Sequence, residues 1–131
     1  MGKRNVWWLA VVVLVGAGCA TARAGETWRL LGQRAIEYRL DRDEIVVGAD
    51  EGRFHQLQLR VRSAPVTLRD LKVHFADGSV QDVAIRKRIP AGGESRVIDL
   101  AGGERVLQKV VFWYDTPRRR SGRAVVQLYG R

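Results

Sequence analysis

The chain has 131 residues but a single cysteine, Cys19, so it cannot close a disulfide within itself. Its two histidines, His55 and His74, have neither cysteine nor positioned carboxylates at ligand spacing, which excludes the usual zinc patterns. Only four serines occur, Ser63, Ser79, Ser95 and Ser121. They fall in turn-like or strand-end contexts, and none lies in Gly-x-Ser-x-Gly. A phosphate-cradling glycine loop is missing as well. These gaps remove the common signatures of metal hydrolysis, serine-type acyl transfer and nucleotide binding. Any catalytic pair of carboxylates would have to be assembled by folding alone. The expectation is therefore a protein that is not an enzyme and carries no cofactor and no metal.

The N-terminal segment is the most distinctive stretch. Lys3 and Arg4 precede an uncharged run from Asn5 to Ala22, which ends in Ala22-Arg23-Ala24. This is the layout of a bacterial export signal, with small residues at positions −3 and −1 of the cut. Cleavage after Ala24 would divide the chain into a helical signal segment, 1–24, and one mature domain, 25–131, without cysteine. The alternative makes Cys19 a lipidated N-terminus. Gly18 suits that reading, but Gly16 stands where a branched aliphatic residue is wanted. As an uncleaved anchor the 18-residue run is short, since a spanning helix needs about 20 apolar residues. The expected location is periplasmic or secreted, with a membrane involved only if Cys19 is lipidated or the signal is retained.

The basic excess is moderate and by itself favours an anionic partner only slightly. The whole chain carries 23 basic and 14 acidic residues, for a net +9. Loss of Lys3, Arg4 and Arg23 leaves 20 basic against 14 acidic residues, or +6. Outside the cytoplasm such a chain would be drawn to an anionic envelope polymer through its Coulomb field, with nucleic acid a less natural partner.

From Trp28 onward, apolar and polar residues alternate with period two, and no stretch has helical spacing. In Gln56–Val61, Leu57, Leu59 and Val61 point one way and Gln56, Gln58 and Arg60 the other. Further strands are expected over Thr27–Leu31, Ala35–Arg39, Ile45–Val47, Leu68–Phe75, Val80–Arg86, Arg96–Leu100, Val106–Tyr114 and Ala124–Tyr129. Eight or nine short strands separated by turns indicate an all-β fold, an antiparallel two-sheet β-sandwich of jelly-roll type, with an open barrel as the alternative. At Asp77-Gly78, a two-residue turn would put Val83 and Ile85 on the face opposite Leu71, Val73 and Phe75. A three-residue connection with Gly78 left-handed pairs Phe75 with Ser79 and Leu71 with Val83, so the apolar residues share a face. The echo Ala91-Gly92-Gly93-Glu94 and Ala101-Gly102-Gly103-Glu104 is expected to form two turns flanking a short strand.

Three groups are candidate binding residues. Arg118, Arg119, Arg120 and Arg123 lie between Pro117 and the last strand, and Arg86, Lys87 and Arg88 precede Pro90, so the two clusters could share one rim. Arginine forks suit phosphate and carboxylate, although solvated charge is the simpler reading of such runs. Within Phe112-Trp113-Tyr114, alternation puts Trp113 on the face opposite its neighbours, where its ring could stack on a sugar or a base or meet another envelope protein. Asp41, Asp43, Glu44, Asp50 and Glu51 could in principle offer oxygens to calcium, but the spacing does not match the twelve-residue loop, and ordinary turn residues are expected there.

Leu31-Gly32, Asp41-Arg42-Asp43, Gly52-Arg53-Phe54, Asp77-Gly78, the segment from Ile89 through Glu94 to Leu100, and Val111-Phe112-Trp113-Tyr114 together give a pattern spread over most of the mature chain. It resembles a family of small exported bacterial proteins described only as a domain of unknown function. The resemblance implies a periplasmic or secreted β-sandwich and brings no catalytic residues. Two functions follow as expectations: a non-enzymatic binding domain whose arginines contact an anionic envelope component, or an interaction domain that meets another envelope protein.

Overall fold

A computed structural model describes residues 27–36, 41–115 and 123–131. The candidate signal with Cys19, Ala22 and Ala24, and the run Arg118, Arg119, Arg120, lie outside the described residues. Ten strands follow one another: β1 (Arg29–Ala35), β2 (Arg42–Val46), β3 (Arg53–Phe54), β4 (Gln56–Arg62), β5 (Val66–Phe75), β6 (Val80–Val83), β7 (Lys87–Ile89), β8 (Ile98–Asp99), β9 (Arg105–Tyr114) and β10 (Val125–Gly130). One turn of 3-10 helix, Ala49–Glu51, is the only helical element among the described residues. The strands form two antiparallel sheets. One has the order β1-β10-β4-β8; the other has β2-β9-β5-β6, with β3 also pairing β9 and β7 also pairing β5.

Alternation decides which side chains meet between the sheets. On β4, Leu57, Leu59 and Val61 are buried, and on β10, so are Val126 and Leu128. They join Leu71, Val73, Phe75, Val110, Phe112 and Tyr114 of the opposing sheet in one apolar cluster. Fully burying each such aliphatic side chain is worth about 1.5–3 kcal/mol.

Several boundaries differ from those expected, and the strand count is ten rather than eight or nine. The expected strands Thr27–Leu31 and Ala35–Arg39 are replaced by β1, whose register slips between Leu30 and Gly32 where Leu31 turns into the core; residues 37–40 lie outside the described ones. The expected strand Val80–Arg86 stops at Val83, and the chain rejoins the same edge of β5 as β7. Arg96–Leu100 contracts to β8 because a side chain interrupts the ladder: the Leu59 amide donates to Ser95 Oγ at 2.9 Å, and pairing resumes only at Ile98 with Leu57. Asp43 and Glu44, expected in a turn, are in β2.

The Asp77-Gly78 connection has the bulged register expected. Leu71 faces Val83 and His74 faces Val80, the Phe75 amide donates to the Ser79 carbonyl at 2.9 Å, and Gly78 has φ +93°. The Asp77 carboxylate accepts from the Ser79 hydroxyl at 2.6 Å and from its amide at 2.9 Å. It also accepts from Arg105 Nη2 at 3.0 Å. Both Gly-Gly segments form turns, with Gly92, Gly102 and Gly103 at positive φ.

One polar contact crosses the open flank of the sandwich. Arg34 pairs with Val126 and Asp43 with Phe112, which puts both on inward-facing positions of different sheets. Arg34 Nε donates to Asp43 Oδ1 at 2.9 Å, and the Tyr114 hydroxyl donates to Oδ2 at 3.0 Å. Asp43 is only 4% exposed. Gly32 allows the two edges to close here, since a Cβ on it would stand 2.6 Å from Ile45 Cγ2.

Three measurements test this account. Nothing lies within 4 Å of a Cβ built on Gly78, so Gly78→Val should cost only the backbone penalty of positive φ, about 1–3 kcal/mol in urea unfolding. Tyr114→Phe removes a donor from a buried carboxylate and should cost about 1.5–3 kcal/mol in the same assay. Asp77 is held below its ordinary carboxylate value, first by the Ser79 hydroxyl, then by the Ser79 amide and Arg105. Its stabilisation is therefore present above the unfolded pKa and is lost as pH falls through the lowered one. The stability difference between the native chain and Asp77→Asn should narrow on acidification below the ordinary carboxylate range.

Candidate functional site

A groove crosses the outer face of the six-stranded sheet, and it exists because the β5 ladder is interrupted. Opposite β9, the register of β5 slips between Leu68 and Asp70. Opposite its other neighbours, β7 pairs Val66 to Leu68 and β6 pairs Leu71 to His74, leaving Ala84, Ile85 and Arg86 unpaired between them. Leu68 and Leu71 both remain buried. The extra residue thus lets Arg69 and Asp70 both line the outer surface, and re-aiming of side chains is a usual effect of a bulge. The local polar groups are satisfied: the Leu71 amide donates to Asp70 Oδ1 at 2.8 Å, and Arg96 Nη2 donates to the Ala84 carbonyl at 3.0 Å.

Asp70 pairs directly with Trp113 on β9, and Trp113 pairs with Arg42 on β2. Asp41, Arg69, Asp70, Ala84, Ile85, Arg86 and Trp113 consequently line one groove of about 680 Å³. Trp113 is half-buried while Phe112 and Tyr114 point into the core. Arg42 approaches the indole with its guanidinium carbon 5.8 Å from the ring centroid. Arg69 is paired with Asp115 at 3.4 Å across a well-exposed contact. The groove therefore offers an indole, two guanidinium groups and two carboxylates, a set suited to a ligand with a flat apolar face, hydroxyl donors and a negative group.

Most of the described arginines are already engaged. Arg29 lies over Phe54 at 5.1 Å, Arg60 over Tyr129 at 3.9 Å, Arg105 over Phe75 at 3.8 Å and Arg131 over Trp28 at 4.5 Å. Such contacts contribute about 0.5–1 kcal/mol each at exposed sites. Arg29 also donates to the Glu51 carbonyl and, at 3.1 Å, to its carboxylate. The exceptions are informative. Among the described residues, the side chains of Arg53, Arg62, Arg86, Lys87 and Arg88 make no ion pair, hydrogen bond or ring contact, and three of these five are consecutive.

Arg86, Lys87 and Arg88 are exposed. Arg88 pairs with Thr67, whose carbonyl accepts the Asp115 amide at 2.9 Å, so only β5 separates this run from the end of β9. Arg123 is exposed just before β10. Asp43 and Glu44 do not join Asp50 and Glu51: Asp43 is bonded to Arg34 and Tyr114, and Glu44 to Arg42 at 3.3 Å. No group of three metal-ligating side chains occurs among the described residues. In the sequence, alternation locates Trp113, charge clustering locates the basic run, and Asp41 stands out only as a candidate calcium ligand, but Arg69 and Asp70 are not singled out. The signal for these two is the three-residue step from Leu68 to Leu71, where a regular strand would step by two.

The DUF2541 family, a domain of unknown function, matches residues 8–130. The chain belongs to this family. No match was found among curated proteins. Among solved structures, Pseudomonas aeruginosa AlgX is similar, with a TM-score of 0.51 and 14% identity over 77% of this chain and 26% of the AlgX chain. This DUF2541 chain thus spans about a quarter of that protein's length, and the likeness is one of fold alone.

Proposed function

We propose that this DUF2541 chain is an exported, non-enzymatic binding domain of the bacterial envelope, which holds an anionic envelope polymer in the Trp113 groove. Export is supported by the charged, apolar and small-residue succession from Lys3 to Ala24. A jelly-roll reading of the fold is supported by the strand order. With β2 and β3 taken as one column, and β6 and β7 as another, each sheet has four columns. Every connection between columns then crosses from sheet to sheet except the hairpin from β5 to β6.

The observation that carries the binding role is the unpartnered run Arg86, Lys87 and Arg88, with Arg86 at the edge of a groove containing a half-buried indole. Three adjacent cations repel one another, so neutralisation by a polyanion relieves that repulsion as well as adding direct contacts. Trp113 would lie against the apolar face of a polymer unit. Asp41 and the remaining oxygen of Asp70 would accept its hydroxyl protons. The sequence cluster Arg118, Arg119, Arg120 and Arg123 would add to the positive charge available to such a polymer.

Salt elution separates this reading from general charge. On a carboxymethyl resin, a variant with Arg86, Lys87 and Arg88 changed to Ser should elute at clearly lower salt than one with Arg53, Lys72 and Arg96 changed to Ser. Both lose three charges, so equal elution would overturn the reading.

A further inference from the structure

The four-stranded sheet has a second groove on its own outer face, and its chemistry differs from that of the Trp113 groove. On β4 and β10, the pairs Arg62 with Val125, Arg60 with Gln127 and Gln58 with Tyr129 all point away from the core. Gln33 of β1 pairs with Gln127, extending an outward row of Gln33, Gln127 and Arg60 across three strands. The turn at Ala91-Gly92-Gly93 forms a wall. The Gly92 amide donates to the Val61 carbonyl at 2.8 Å, and the Val61 amide donates to the Gly93 carbonyl at 3.0 Å. Together these elements enclose about 410 Å³ lined by Arg60, Arg62, Ser63, Gly92, Gln127 and Tyr129, among others.

Three features indicate what would fit. No acidic residue lines this groove, so it is positive where the Trp113 groove is mixed. Arg62 is exposed and unpartnered among the described residues, leaving its fork available for a bidentate oxyanion contact. Beside it, Ser63 has φ +77°, a left-handed conformation uncommon for a residue with a side chain. Arg60 also lines the groove, but its guanidinium is already engaged with Gln58 at 3.2 Å and Glu94 at 3.8 Å; the other polar side chains are neutral, namely the Ser63 hydroxyl, the Tyr129 phenol and the Gln127 amide, which is held by donation to Gln33 Oε1 at 3.0 Å. Neutral amides and hydroxyls beside one arginine fork match a polyol that carries an occasional acid group. A nucleic acid would need a bare ring to stack on, and Arg60 covers the Tyr129 ring at 3.9 Å.

We propose that this groove is a separate binding site for an acidic oligosaccharide, with Arg62 gripping the carboxylate and Gln127, Ser63 and Tyr129 the sugar hydroxyls. It occupies the opposite sheet from Trp113 and is independent of the reading proposed for that groove.

Residue-resolved NMR titration of the chain tests this with four probes: an oligogalacturonate, the same oligomer fully methyl-esterified, inorganic phosphate and a single-stranded oligonucleotide. Saturable shifts at Arg62, Ser63, Gln127 and Tyr129 are expected with the acid oligomer. The ester should bind about tenfold more weakly, as should the acid oligomer to Arg62→Ala, through loss of one charge-assisted contact. Because Arg62 is exposed and unpartnered, an unchanged melting temperature should accompany that variant. Shifts confined to the Trp113 groove would overturn this site while leaving the other reading intact. Equal response to phosphate alone, equal affinity for the ester, or tighter binding of a single-stranded oligonucleotide would also overturn it. The absence of any shift would overturn it as well.

Discussion

A carboxylate buried between two apolar sheets has to be answered by donors from both sides, and Asp43 imposes that condition on this fold. Its oxygens are bonded to Arg34 of one sheet and Tyr114 of the other. Breaking such a buried contact leaves an uncompensated charge, which is far costlier than losing an exposed pair. The first edge strand must therefore bring Arg34 inward, and the slip at Leu31 achieves that while also burying Leu31 itself. The neighbouring Gly32 removes the side chain that would hold the two edges apart. Tyr114 serves twice, filling the core with its ring and meeting Asp43 with its hydroxyl, and its orientation leaves Trp113 on the outside.

The Trp113 groove follows from a different local rule. A bulge adds one residue without changing which apolar side chains face the core, so the surplus must appear on the outside. At Arg69 and Asp70 the surplus is charged, and it lies between Trp113 on one strand and the gap between two short strands on the other. A break in backbone pairing thus produces a concave surface on a sheet that would otherwise be flat. The basic side chains then divide by chemistry: the arginines over Phe54, Tyr129, Phe75 and Trp28 cover aromatic rings, whereas Arg86, Lys87 and Arg88 have no side-chain partner among the described residues.

Much of this was legible in sequence wherever a single rule acted. Period-two alternation located the long strands, and the need to keep Leu71, Val73 and Phe75 on one face with Val83 was enough to select the bulged hairpin at Gly78. Legibility failed where one residue breaks the period. Leu107 and Val110, like Leu68 and Leu71, are both buried three positions apart, and a reader counting by two assigns the residues between them to the wrong faces. It failed also where a side chain replaces the backbone, as Ser95 does for Leu59, because no local pattern announces that substitution. Asp43 looked like a turn residue because strands disfavour aspartate. Its partners lie 9 and 71 residues away, a relation that only the folded chain reveals.

The division of the outer strands has a further consequence for life at high concentration. Both borders of the six-stranded sheet are shared between two short strands, none longer than the five residues of β2. One border of the other sheet is the two-residue β8, and its remaining border, β1, is kinked by its register slip. A foreign strand seeking to add itself would find only a few aligned amides and carbonyls before the direction changed. Interrupted borders are a recognised defence against edge-to-edge association. The same gap between β6 and β7 that opens the Trp113 groove also denies the domain a continuous template for fibre growth.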